Sequence, residues 1–344
     1  MPPLEFLIGG VLVIALTIYA LTAGADFGAG VWDLLASGPR ASAQHELIAH
    51  AIGPIWEANN VWLVLVIVVL FTGFPSAFAA ILTALFVPLC VMLIGIVLRG
   101  SAFAFRSQLP EHGATERLLT RAFAIGSIIT PIMLGVSLGT LASGRIQLQN
   151  GIVTSGFFDT WRLPFAWAVG ALALALFAYL AALYLAVEAA PQPALSSDFR
   201  VRGLAAALVT GVLAALVLVL GRAANPPIYA DPMGKPWAVP LAAVTTLAAL
   251  GAIWALWVRR YFLARALGVA QVVLILWGWA GAQYPFLVPP QLSLYDAAAP
   301  PATLRLLLIA LIAGALVLFP SFYYLYRVFK GPAAFAVIET PKSE

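Results

Sequence analysis

Between Ala58 and Leu98 the chain carries no Asp, Glu, Lys or Arg. A membrane span takes about 20 predominantly apolar residues, so a charge-free stretch of this length has room for two passes. The pattern is general. Only 9% of the 344 residues are charged and 63% are hydrophobic, where soluble domains carry about 25% charge. The composition specifies an all-α integral membrane protein, with residues 1–344 as a single polytopic membrane domain. No soluble segment is large enough to carry chemistry.

Charge-free windows give nine candidate transmembrane helices, at Phe6–Ala25, Val61–Gly73, Ala77–Leu98, Ala122–Gly144, Leu163–Val187, Gly203–Gly221, Pro236–Val258, Ala266–Tyr284 and Leu306–Tyr326. The second is short and reaches full length only if Ala51–Asn60 forms its first part. Segments after odd-numbered spans hold thirteen of the eighteen Lys and Arg residues. That bias places the N-terminus outside and the C-terminus in the cytoplasm. The net charge of +4 therefore reports loop placement, with no nucleic acid implied. The first span lacks a basic leader and is expected to be retained rather than cleaved. Cys90 is the only cysteine, which excludes an intrachain disulfide and a thiolate metal cluster. The proline-rich stretch Tyr284–Thr303 is expected to be ordered without being helical.

Ionisable residues inside apolar runs are the candidates for function. Glu57 opens the second window. On one continuous helix His50, Gly53, Glu57 and Asn60 share a face, with Pro54 as a kink. The alternative is a helix-start carboxylate favoured by the dipole, but a cap needs no polar continuation inward. Asp26 ends the first window and stands in line with Tyr19, Thr22 and Asp33. Asp26 and Asp33 either mark the cytoplasmic end of the span or take part in chemistry. A buried carboxyl has a raised pKa and exchanges protons near neutral pH, so Asp26 and Glu57 on neighbouring helices read as a cytoplasmic proton-uptake path. Arg99 and Arg106 after the third span are either charge partners for these carboxylates or positive-inside anchors that snorkel to the interface.

Redox chemistry is expected elsewhere. His45, His50 and His112 are the only histidines, none lies mid-span, and Met92 and Met133 read as packing residues. No haem and no metal are expected in this chain alone. It shows no Walker loop, dinucleotide fingerprint or nucleophile motif, so no catalytic residue is assigned to it.

Several motifs are similar to those of subunit II of the cytochrome bd-type quinol oxidases of bacteria. They are Gly24-Ala-Asp-Phe-Gly28, Gly53-Pro-Ile-Trp-Glu-Ala-Asn-Asn-Val-Trp-Leu63, Leu70-Phe-Thr-Gly-Phe-Pro75, Leu98-Arg-Gly-Ser-Ala-Phe-Ala-Phe-Arg106, Tyr284-Pro-Phe-Leu-Val-Pro289, Ser293-Leu-Tyr-Asp296 and the run Tyr323–Lys330. The Trp-Glu and Leu-Arg-Gly forms resemble the cyanide-insensitive branch more than that of enteric bacteria. The resemblance implies nine transmembrane helices in the bacterial inner membrane. It also implies a heterodimer whose subunit I holds haem b, haem d and the quinol site, and reduces oxygen to water. Subunit II would bind no haem, stabilise subunit I and carry cytoplasmic protons through the Asp26 and Glu57 positions. A structural quinone and a small accessory subunit occur among such complexes. Family members often place an acidic residue between the two arginines, where this chain has Ala104, so that part of the route is in doubt. The competing reading is a proton-coupled secondary transporter, a class whose folds show paired repeats and broken helices at the midplane. Here the polar residues cluster toward one side of the first three spans.

Overall fold

The computed structural model describes residues 3–53, 56–106, 114–224 and 235–330. Helix α1 (Leu4–Leu34) continues nine residues past the end of its apolar window. Its 31 residues extend about 46 Å at 1.5 Å per residue, more than the ~30 Å hydrocarbon thickness. Asp26 and Asp33 therefore lie within helix and are buried by protein. A turn through Gly38, with φ of +80°, leads into α2 (Ala41–Ile52).

The next helix, α3 (Trp56–Gly73), is inclined to α2 by 49°. The expected single face of His50, Gly53, Glu57 and Asn60 is therefore not formed. The residue before a proline is disfavoured in the helical region, so the α2 helix stops at Ile52 and its phase does not carry into α3. Pro54 itself lies outside the described residues.

The third window also divides, into α4 (Pro75–Ala84) and α5 (Phe86–Arg106). A proline ring collides with the carbonyl four residues earlier, so Pro88 ends the helix at Ala84. The Ala84 carbonyl instead accepts a bond from the Thr160 hydroxyl at 3.2 Å. The remaining helices are α6 (Ala114–Ser143), α7 (Pro164–Glu188), α8 (Pro193–Ala224), α9 (Ala238–Trp257), α10 (Tyr261–Gln283) and α11 (Pro301–Lys330). Among the described residues eight helices are long and apolar enough to cross a membrane, or nine if α2 and α3 form one bent span.

Two antiparallel hairpins fill connections. β1 (Leu148–Gln149) pairs with β2 (Ile152–Val153), and β3 (Phe286–Val288) pairs with β4 (Leu292–Ser293) within the proline-rich stretch. The Gln291 amide donates to Gln147 Oε1 at 3.0 Å and ties the two hairpins together.

Helix α7 is the axis of the bundle, with two-thirds of its apolar window buried, against 17% for α8 and 11% for α11. Its buried face is rich in alanine, including Ala166, Ala178, Ala181, Ala182 and Ala186. Small residues let membrane helices approach closely where no hydrophobic force drives them together. The approach is tightest at Gly28, where a methyl group would overlap the backbone carbonyl of Phe177. One turn further on, Trp32 Nε1 donates to the Ala178 carbonyl at 2.7 Å.

Candidate functional site

Four helices bring polar groups to one buried cluster. Asp26 on α1 is buried, and its carboxylate accepts a hydrogen bond from the Asn59 amide on α3. Arg99 on α5 is only 5% exposed and donates through Nε to Ser127 Oγ on α6 at 3.2 Å. Its guanidinium lies 4.8 Å from the Phe27 ring centre and 5.1 Å from that of Phe123. Such stacking contributes about 2 kcal/mol when desolvated. Arg99 interacts electrostatically with Asp26 and Tyr19. A cation this deep needs a counter-charge, and Asp26 supplies one.

Among the described residues Tyr19 Oη and Arg99 Nη2 find no hydrogen-bond partner, and both buried groups interact electrostatically with Asp26. Tyr19 and Asp26 are seven residues apart and share a face of α1. On α6, Pro131 has no N–H for the Ser127 carbonyl four residues before it, which loosens the helix beside the cluster.

A second group lies where α1 meets α2. Asp33 is buried and its Oδ1 stands 2.6 Å from His45 Nδ1. Next to it Arg40 holds Asp198 through two bonds of 2.6 and 2.8 Å, and Gln44 Nε2 donates to the same carboxylate at 3.0 Å. The bond from Asp198 moves the Arg40 guanidinium further up from its ordinary value. Arg202 donates to Gln44 Oε1 at 2.7 Å and to the Leu35 carbonyl at 3.1 Å. This lattice fastens the α1–α2 turn to α8.

The other expected site residues are dispersed. Glu57 is exposed in the first turn of α3, where the helix dipole favours a carboxylate. Asn60 is half-buried, and His50 is exposed near the end of α2. Residues two apart on a helix point to different sides, so the side of α3 that meets Asp26 belongs to Asn59, not to Glu57. Sequence reasoning passed over Asn59 because Asn60 fell into phase with Glu57. The signal in the sequence is the spacing of the apolar Trp62 and Val69, which the structure buries on the side of α3 that carries Asn59. Arg99 is buried rather than snorkelling. The side chain of Arg106, and His112, lie outside the described residues. Among the described residues no group of three His, Cys, Asp or Glu comes together to hold a metal. His45 and His50 are not buried, and Met92 and Met133 pack in the apolar interior.

The sequence model of the family described as cytochrome bd terminal oxidase subunit II matches residues 4–329. The chain belongs to this family. As a bd oxidase subunit II it is a multi-pass protein of the bacterial inner membrane, and family membership does not favour the transporter reading. It is 24% identical over 325 residues to the putative cytochrome bd menaquinol oxidase subunit II of Bacillus subtilis, covering 91% of each chain. It is 27% identical over 214 residues to the cytochrome bd-I ubiquinol oxidase subunit 2 of Escherichia coli, covering 61% of this chain and 54% of that one. Its fold superposes on a chain of the bd oxidase from Geobacillus thermodenitrificans with a TM-score of 0.79 and 27% identity, over 95% of this chain and 98% of that one.

Proposed function

We propose that this subunit binds and stabilises a haem-bearing subunit I, and that its Asp26 cluster passes cytoplasmic protons toward the site where the partner reduces oxygen to water with electrons from quinol. The relatives named as menaquinol and ubiquinol oxidases support the reaction class. The buried Asp26–Asn59–Arg99–Ser127 cluster carries the proton route. The haems of subunit I would supply electron transfer and oxygen binding. The residues of this chain hold and move protons. The thirteen-to-five bias of basic residues puts the α1–α2 turn on the cytoplasmic side.

Within the cluster, Asp26 takes and releases a proton at its carboxylate. Asn59 orients that carboxylate, and the fixed charge of Arg99 keeps its ionised form tolerable in a dry interior. Tyr19 Oη and Arg99 Nη2 are donors with no partner among the described residues, and buried polar atoms of this kind recruit ordered water. Glu57 and Asn60, on the other side of α3, serve the cytoplasmic entrance of the route. An exposed carboxylate at the mouth of a membrane helix is best covered by a partner chain rather than by lipid. With Ala104 in place of an acidic residue, the uptake end relies on other groups.

The test is co-expression of Asp26→Asn or Glu57→Gln with subunit I, followed by quinol-driven oxygen uptake and haem content. Asp26→Asn is expected to lower turnover by about tenfold or more, within the range of lost proton-transfer groups, while haem content is kept. Normal turnover in both variants defeats the proton route and leaves the family assignment untouched. Mass spectrometry and quinone extraction of the same complex test for an accessory subunit and a bound quinone.

A further inference from the structure

We propose that His45 and Asp33 form the surface collector of this route, an inference that rests on the Asp26 reading above. Asp33 stands in the last turn of α1, only 4% exposed. The negative end of a helix dipole disfavours a carboxylate there, and burial disfavours it again. A group that helps make the position tenable is His45, whose Nδ1 is 2.6 Å from Oδ1 and whose side chain is 37% exposed. One member of the pair thus meets solvent and the other is enclosed. Histidine is also the side chain whose ordinary pKa lies in the physiological range.

The pair points inward along α1. Asp33, Gly30 and Asp26 occupy one side of the helix, and the two carboxylates are about 10 Å apart along its axis, too far for direct transfer. Gly30 lies between them, and a methyl group there would overlap Ser127 Oγ. The missing side chain admits the Ser127 hydroxyl to the gap. That hydroxyl already accepts from Arg99 Nε and keeps one proton to donate. The α2 backbone that carries His45 is anchored because its neighbour Gln44 is clamped by Asp198 and Arg202.

Neutral His45, with its proton on Nδ1, gains a solvent proton at Nε2. The Nδ1 proton passes to the Asp33 carboxylate, leaving a neutral ring protonated at Nε2 and a carboxylic acid inside. Asp33 then gives up that proton toward Asp26 through the Ser127 gap, and the ring turns to solvent, loses its Nε2 proton to water and takes one from water at Nδ1, which restores the first tautomer with no net change. Among the described residues the charged groups on the surrounding elements are Glu46 and His50 on α2, Arg121 on α6, Glu188 at the end of α7, Asp198 and Arg202 on α8, and Arg40 in the turn.

The test uses the whole complex with His45→Gln, Asp33→Asn, Asp33→Glu and, as reference, Asp26→Asn, reading oxygen uptake from pH 5.5 to 8.5 together with haem content. His45→Gln is expected to slow turnover several-fold at the alkaline end and to converge on the parent at the acid end, where protons are plentiful enough to reach the route without a collector. His45→Ala is expected to recover with added imidazole, a response that a merely structural role does not give. Asp33→Asn should slow turnover across the range and Asp33→Glu should restore it. If Asp33→Asn fails to assemble, the His45→Gln profile decides. Profiles for His45→Gln that superimpose on the parent while Asp26→Asn is slow overturn the collector alone. An unimpaired Asp26→Asn overturns the route and the collector with it.

Discussion

Arg99 shows what a membrane interior demands of a charge. It sits between two aromatic rings, with a serine hydroxyl on Nε and a carboxylate within electrostatic reach. Replacing it with methionine removes the counter-charge of Asp26 and is expected to destabilise the subunit by about 3–5 kcal/mol. Arg99→Lys keeps the charge but loses the planar stacking, and should fall between. Thermal denaturation of the purified complex checks the order. A methionine variant as stable as the parent would show that Asp26 does not depend on Arg99. The sequence exposes Asp26 and Arg99 because a charge stands out in an apolar run. Asn59 and Ser127 were not legible, since neutral polar residues are common in spans and only packing reveals which of them meets a carboxylate. The exposure of Glu57 was equally hidden, because an ionisable residue in a span announces a partner without saying whether it belongs to the same chain.

At the scale of helices, hydropathy located nearly every span and misjudged their ends. A window closes at the first charge, whereas a helix continues as long as its charges find partners. Helix α1 runs on because Asp33 meets His45, and α8 begins well before Gly203 because Asp198 and Arg202 join the lattice around Gln44. The break in the third window was written in Pro88 but falls upstream of it, since the collision is with the preceding turn. Helix contacts were the least legible, and the seam between α1 and α7 is the clearest case. Gly28→Ala is expected to cost about 1–3 kcal/mol through overpacking against the Phe177 carbonyl. Trp32→Phe should cost about 1 kcal/mol for the lost bond to Ala178. Heat-induced dissociation of the complex measures both, and equal midpoints for parent and Gly28→Ala would mean that the seam yields easily.

For the whole molecule, the arrangement of charge makes a prediction about sidedness. Cys90 is the only cysteine, so Cys90→Ala gives a clean background for single reporters. Thr154→Cys after β2 is expected to react with a membrane-impermeant thiol reagent in intact spheroplasts, and Ser37→Cys in the α1–α2 turn only after permeabilisation. The reverse pattern would invert the molecule and place Asp33 on the wrong side for cytoplasmic protons. The outer helices present apolar side chains such as Leu216, Val219, Leu316 and Val317 outward, as helices immersed in lipid or covered by a partner should. The inner ones are locked. Because Gly28 presses backbone against backbone at Phe177, α1 does not slide along α7 without unlocking that contact. Carriers work by rocking one bundle against another, and this seam opposes such motion. On the proposed route Asp26 and Asp33 would be fixed stations on a stationary post, with hydrogen alone travelling between them.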